Sequence, residues 1–252
     1  MTRLSTLPPI ANVRAGDAIV GLGVSQSIDQ QFPLSGLDGD LLVLGRLSAA
    51  YALADRAVLR LDWDAFRVLS IDGTSPPGVT LDDGVDDGTT SDAGDVRLEL
   101  MFAPLTVGPG IALGGWLAVE LPNSDEAKGI GPNTTNTYLG AVISVPADRL
   151  SLSGRLGLGI LESPLNSFSQ DDVIVYAVDA IVQAGGGLRL LGSIEGMSNP
   201  RRTVSLGLED TSLATVGVEA GSGAWRLDAF VSRGLATRSP DWLAGVGLSW
   251  SR

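Results

Sequence analysis

The chain has 252 residues, a net charge of −12, and neither cysteine nor histidine. The acidic balance excludes nucleic acid as a partner, since that needs a basic surface. The missing residue types remove Ser-His-Asp and thiolate catalysis and most zinc sites, so no enzyme, cofactor or metal centre is expected.

Mean hydropathy is +0.24, yet no apolar run approaches the ~20 residues of a spanning helix. With 33 Gly, such a composition points to alternating strands. Met1–Ala15, with Pro8-Pro9, lacks periodicity and reads as a leader or a partial plug, followed by one domain over 16–252. Met1–Gly16 also lacks a charged and then an apolar region, so the sequence reads as a chain whose secretory signal has been removed.

Gly16–Ser27 opens the pattern. Ala18, Val20, Leu22 and Val24 fall on one face, with Gly21, Gly23, Ser25 and Ser27 on the other. After a loop with Pro33 and Gly36, Leu41–Tyr51 puts Leu41, Val43, Leu47 and Tyr51 on the greasy face and Arg46 and Ser48 opposite. Ala57–Phe66 puts Leu59, Leu61 and Trp63 against Arg60, Asp62, Asp64 and Phe66. Asp72–Asp95 is a long connection with seven Asp and no Lys or Arg. It reads as a solvated outer loop, bridged by divalent cations to lipopolysaccharide, because it lacks the EF-hand spacing.

Val96–Ala103 sets Val96, Leu98, Leu100 and Phe102 against Arg97, Glu99 and Met101. Ile111–Leu121 sets Ile111, Leu113, Leu117 and Val119 against Gly114, Trp116 and Glu120. Leu139, Ala141, Ile143 and Val145 mark the next strand. Arg149–Leu161 alternates most cleanly: Leu150, Leu152, Leu156, Leu158 and Ile160 against Ser151, Ser153, Arg155, Gly157 and Gly159. Asp172–Gln183 carries Asp179 on its polar face, Leu188–Met197 carries Arg189 and Glu195, Val216–Ala220 carries Glu219, and Trp225–Val231 carries Arg226 and Asp228. Trp242, Ala244, Val246, Leu248 and Trp250 end the chain.

Eleven connections join twelve strands, and short turns near 54, 108, 147, 185 and 222 alternate with longer loops near 35, 83, 128, 166, 205 and 237. This predicts a 12-stranded antiparallel transmembrane β-barrel of the bacterial outer-membrane type, apolar outside and polar inside. Closure is needed because an open sheet edge in lipid leaves backbone groups unpaired. The lumen is expected to hold Arg46, Arg60, Asp62, Asp64, Arg97, Glu99, Trp116, Glu120, Arg155, Asp179, Arg189, Glu195, Glu219, Arg226 and Asp228. These either pair and stiffen the wall or line a selective path. Twelve strands fall between filled barrels of about 8 and aqueous porins of about 16, so a narrow conduit is expected.

Leu121–Gly131, running into Asn136–Gly140, resembles the meta-pathway phenol-degradation family of outer-membrane proteins, as do Arg233-Gly234-Leu235, Ser239–Trp242 and Gly245–Trp250. The likeness covers roughly Val96–Arg252; Asn123-Ser124-Asp125 stands where the family has Thr-Gly-Asp, and the chain ends Ser251-Arg252 rather than on an aromatic residue. The resemblance implies an outer-membrane channel for small, aromatic or hydrophobic molecules. The competing reading is a structural or partner-docking barrel with a sealed lumen. Expected partners are the lipid bilayer, lipopolysaccharide and small solutes, with an envelope protein as a further candidate.

Overall fold

The computed structural model describes residues 10–85, 88–108, 110–165 and 169–252. Residues 1–9 of the expected leader, and Asp86 and Asp87 of the acidic connection, lie outside the described residues. Thirteen strands follow in order: β1 Ala18–Phe32, β2 Leu37–Ala54, β3 Ala57–Thr74, β4 Thr89–Asp92, β5 Val96–Val107, β6 Ile111–Leu121 and β7 Asn136–Val145. Then come β8 Leu150–Glu162, β9 Gln170–Gly185, β10 Leu188–Ser198, β11 Thr211–Ser222, β12 Trp225–Gly234 and β13 Trp242–Ser251. Every strand but β4 pairs antiparallel with both neighbours, and β1 pairs with β13 from Ile19↔Ser251 to Ile28↔Trp242. The result is a closed 12-stranded antiparallel barrel, so no long edge is left unpaired.

The outer wall is the greasy face. Leu156, in mid-strand, is 62% exposed and Leu227 60%, and Leu22, Leu158, Val178, Val216 and Val246 are exposed with them. A soluble sandwich would bury such a face; here it forms a belt for lipid. Tyr51, Trp225 and Trp250 are exposed near the short-turn rim and Trp242 near the other, where rings with one polar end suit the membrane interface. Trp225 and Trp250 are cross-strand partners. Tyr176 is half-buried and donates to Ser212 Oγ at 3.0 Å.

In two strands the structure corrects the expected alternation. Leu41 and Val43 are buried while Leu42, Leu44 and Phe66 are exposed, the reverse of the simple period-two reading. Gly45 is the cause. It takes φ +71°, and β1 passes from Gly23↔Arg46 to Val24↔Leu44 without pairing it. The extra residue forms a bulge that flips parity above it and restores Leu47 to the lipid face below. The paired strand follows, with Asp64 inward and Phe66 outward.

The acidic connection is also more ordered than expected. The strand β3 continues to Thr74, and β4 pairs back on Arg67–Ser70. Its aspartates bind within the loops: Asp82 accepts from Lys128 Nζ at 2.8 Å, Asp92 Oδ2 from Asp125 N at 2.7 Å, and Asp95 Oδ1 from Asn123 N and Ser124 N at 2.9 Å each. Among the described residues no group of acidic side chains is arranged to hold a metal ion. The connection near 35 is only residues 33–36, because β1 and β2 extend beyond the bilayer length. At 18 residues each, β2 and β3 exceed the ~9–11 needed to cross a bilayer at a tilt.

The lumen as candidate functional site

All fifteen predicted lumen residues lie on the inward parity, buried or half-buried. The structure sorts them into groups. Arg46 Nε meets Asp64 Oδ1 at 3.0 Å across β2 and β3. Arg60 Nε meets Asp62 Oδ2 at 2.6 Å along β3, two residues apart on one face. Arg97 sits 3.5 Å from Glu99 and 3.2 Å from Glu120, and Arg155 reaches Glu99 at 3.1 Å. Glu120 also accepts from Tyr138 Oη at 2.7 Å and Asn136 Nδ2 at 3.2 Å. Arg97 stacks 4.6 Å above the Tyr138 ring, and Arg155 5.6 Å from the Trp116 ring. Charge pairing and stacking thus hold most of these side chains along the wall, while Arg155–Glu99 links β8 to β5 past the two strands between them.

A separate group lies near the short-turn rim. Glu219, with 0% exposure, binds both Arg189 and Arg226, the latter at 3.2 Å, with buried Asp228 as its cross-strand partner. Arg189, Glu219, Arg226 and Asp228 border neither of the two main cavities. They are wall structure in this arrangement.

Two cavities stack along the axis. The upper, of about 410 Å³, is bordered by Arg46, Asp62, Asp64, Arg97, Glu120 and Trp116, with Leu41, Val43, Leu213 and Leu243. The lower, of about 140 Å³, is bordered by Arg60, Glu99 and Asp179, with Ile10, Val13, Val58, Ile181 and Phe230. Arg155 and Glu195 border both, so they mark the level where one gives way to the other.

Residues 10–13 sit at the lower end. Ile10 and Val13 are buried among Ile19, Ala50, Ala52, Val58, Ala103 and Ala112, all small or apolar side chains of the inner wall. The segment is strapped to the turn after β2: Arg56 N donates to Val13 O at 3.1 Å, Ala15 N to Asp55 Oδ1 at 2.9 Å, and Gly16 N to Ala52 O at 3.0 Å.

The upper end is covered by loops that the alternation could not place. Ile130 is buried with Leu37, Leu41, Val43, Leu69 and Val85, and Leu208 with Trp116, Tyr138, Leu161 and Val173. Arg67 and Arg238 border the upper cavity too, and neither was among the expected lumen residues. Arg67 sits above the Gly45 bulge, where parity had reversed; Arg238 comes from a loop. A glycine directly after four consecutive apolar residues, Leu41–Leu44, was the one available signal for the first.

No known protein family matches the sequence, and no curated protein does. Solved structures do match. An outer membrane channel from Pseudomonas putida F1 aligns with TM-score 0.66 at 16% identity, over 99% of this chain and 98% of that one. The NanC porin (TM-score 0.48, 8% identity, 91% and 98% covered) and the TodX monoaromatic hydrocarbon channel (0.47, 10%, 96% and 91%) are more distant. At such identity the first match speaks for architecture alone, and it agrees with the strand pairing: the chain has the closed-barrel fold of bacterial outer-membrane proteins.

Proposed function

We propose that the protein is an outer-membrane channel for passive passage of small molecules through a narrow lumen. The observation that carries this reading is the pair of stacked cavities inside a closed, lipid-belted barrel, meeting at Arg155 and Glu195. The resemblance of Leu121–Gly140 and Arg233–Trp250 to the meta-pathway phenol-degradation family supports small hydrophobic or aromatic solutes. Eleven of the fifteen inward residues, all but Arg189, Glu219, Arg226 and Asp228, are the lining in this proposal, and the N-terminal residues act as a partial plug at the lower end. The bilayer surrounds the belt, and the acidic loop faces lipopolysaccharide.

Liposome swelling tests the reading. Vesicles carrying the full chain pass small sugars slowly, and vesicles carrying the chain without residues 1–15 pass them several-fold faster. If neither sugars nor phenol cross in either case, there is no channel. The second reading, a sealed structural barrel that docks an envelope protein, is favoured by one observation: the lumen arginines on β2, β3, β5, β8 and β10 are held by carboxylates. It expects no conductance with or without residues 1–15.

A further inference from the structure

We propose that Arg238 is the centre of an anion-binding site in the upper cavity, one that takes small monocarboxylates with an apolar body. The proposal rests on the channel reading only for the route by which the anion arrives.

Five arginines border this cavity. Four have a carboxylate in reach: Arg46 has Asp64, Arg97 has Glu120, Arg155 has Glu99, and Arg67 has Asp92 at 3.6 Å. Arg238 has none. Its guanidinium donates from Nη1 to the Gly207 carbonyl and makes no ion pair among the described residues. It is not an accidental surface group. The loop is fixed by Ser212 N to Ser239 Oγ at 2.8 Å, by Ser239 N to Ala236 O at 3.0 Å, and by Gln30 Nε2 to Arg238 O at 3.4 Å.

Burial pushes the Arg238 pKa down, and Glu209, Tyr138 and Glu120 oppose that from beyond contact distance. Guanidinium is effectively never deprotonated in proteins, so the cation persists. A half-buried cation whose one acceptor is a carbonyl is incompletely compensated, and an arriving carboxylate completes it through a two-pronged hydrogen bond. Arg67 is the second cation at the same place, since both arginines also border a smaller cavity of about 160 Å³ under Ile130 and Pro132. Its Nε is buried with no acceptor. The same cavity presents apolar side chains, Leu213, Pro240, Leu243 and Val43, beside the polar Gln30, Ser212, Ser239 and Tyr138 and the carboxylate of Glu120. A charged head with a hydrocarbon body suits both halves, and an inorganic anion suits only one.

The test uses the full chain in detergent, titrated calorimetrically with sodium hexanoate, hexanamide and inorganic phosphate. Hexanoate binds, hexanamide and phosphate bind at least about tenfold more weakly, R238Q loses about tenfold for hexanoate alone, and R238K recovers part of it. Comparing proteins in one detergent cancels partition into micelles. Heat-modifiable gel migration of each variant shows that the barrel is intact. Equal hexanoate binding by wild type and R238Q overturns the site. Phosphate binding as tight as hexanoate overturns the apolar half. Arabinose flux through vesicles separates this failure from the other: flux without hexanoate binding leaves the channel and removes the site, whereas binding without flux does the reverse.

Discussion

Glu219 shows how much one side chain can hold. It is fully buried, accepts from Arg189 Nε at 2.7 Å, and binds Arg226 at 3.2 Å. Removing one partner of a buried ion pair leaves the other charge without compensation, at about 3–5 kcal/mol. E219A is therefore expected to lower unfolding stability in urea by that order, measured on reconstituted barrels. A loss under about 1 kcal/mol would mean that water reaches both arginines. Gly45 acts through its backbone instead. A β-branched side chain at φ +71° is strained, and its Cβ would stand 3.3 Å from that of Ala65. G45V is expected to cost about 1–2 kcal/mol in the same assay, and G45A less, because alanine lacks the branch.

Strands are the level at which the sequence was easiest to read. In β8, lipid and lumen faces separate without exception from Leu150 to Ile160, and the structure exposes all five greasy residues. Such alternation needs no partner information, because the strand backbone alone sends successive side chains to opposite faces. The reading failed where backbone geometry breaks the period. Leu41-Leu42-Val43-Leu44 offers two equally good parities, and only the bulge at Gly45 decides between them. It failed again in loops, whose positions follow from long-range packing: Ile130, Leu208 and Arg238 carry no periodic signal. The lumen charges below the bulge were legible and the loop-borne cation above it was not. Leu156, 62% exposed at mid-strand, tests the lipid face. L156R should destabilise the barrel by about 2–4 kcal/mol, as charge at a bilayer midplane does. Tolerance of L156R in vesicles would mean that this face does not meet lipid.

At the scale of the whole molecule, closure is the property from which the rest follows. A closed barrel resists SDS at room temperature, so unheated protein should migrate faster than boiled protein, and a single shifted band on boiling is the check. The two mouths differ. At the lower, Ile10 and Val13 pack against the inner wall, and the upper is roofed by loops joined through side-chain bonds such as Ser35 Oγ to Gly129 O at 2.6 Å. Lys128 is held above the usual lysine range by its hydrogen bond to Asp82. That contact is present below the ordinary lysine pKa and is lost as pH rises through the elevated value, so any loosening of this loop belongs to strongly alkaline solution.

The seam between β1 and β13 joins residues far apart in the sequence, Ile19 beside Ser251. The wall cannot close before both strands are present, and long-range pairing of this kind forms slowly. Until the two strands meet, the leucines of the outer wall have no closed barrel to hold them in lipid, so chain left unfolded in water is expected to aggregate unless detergent or membrane is supplied before the seam closes.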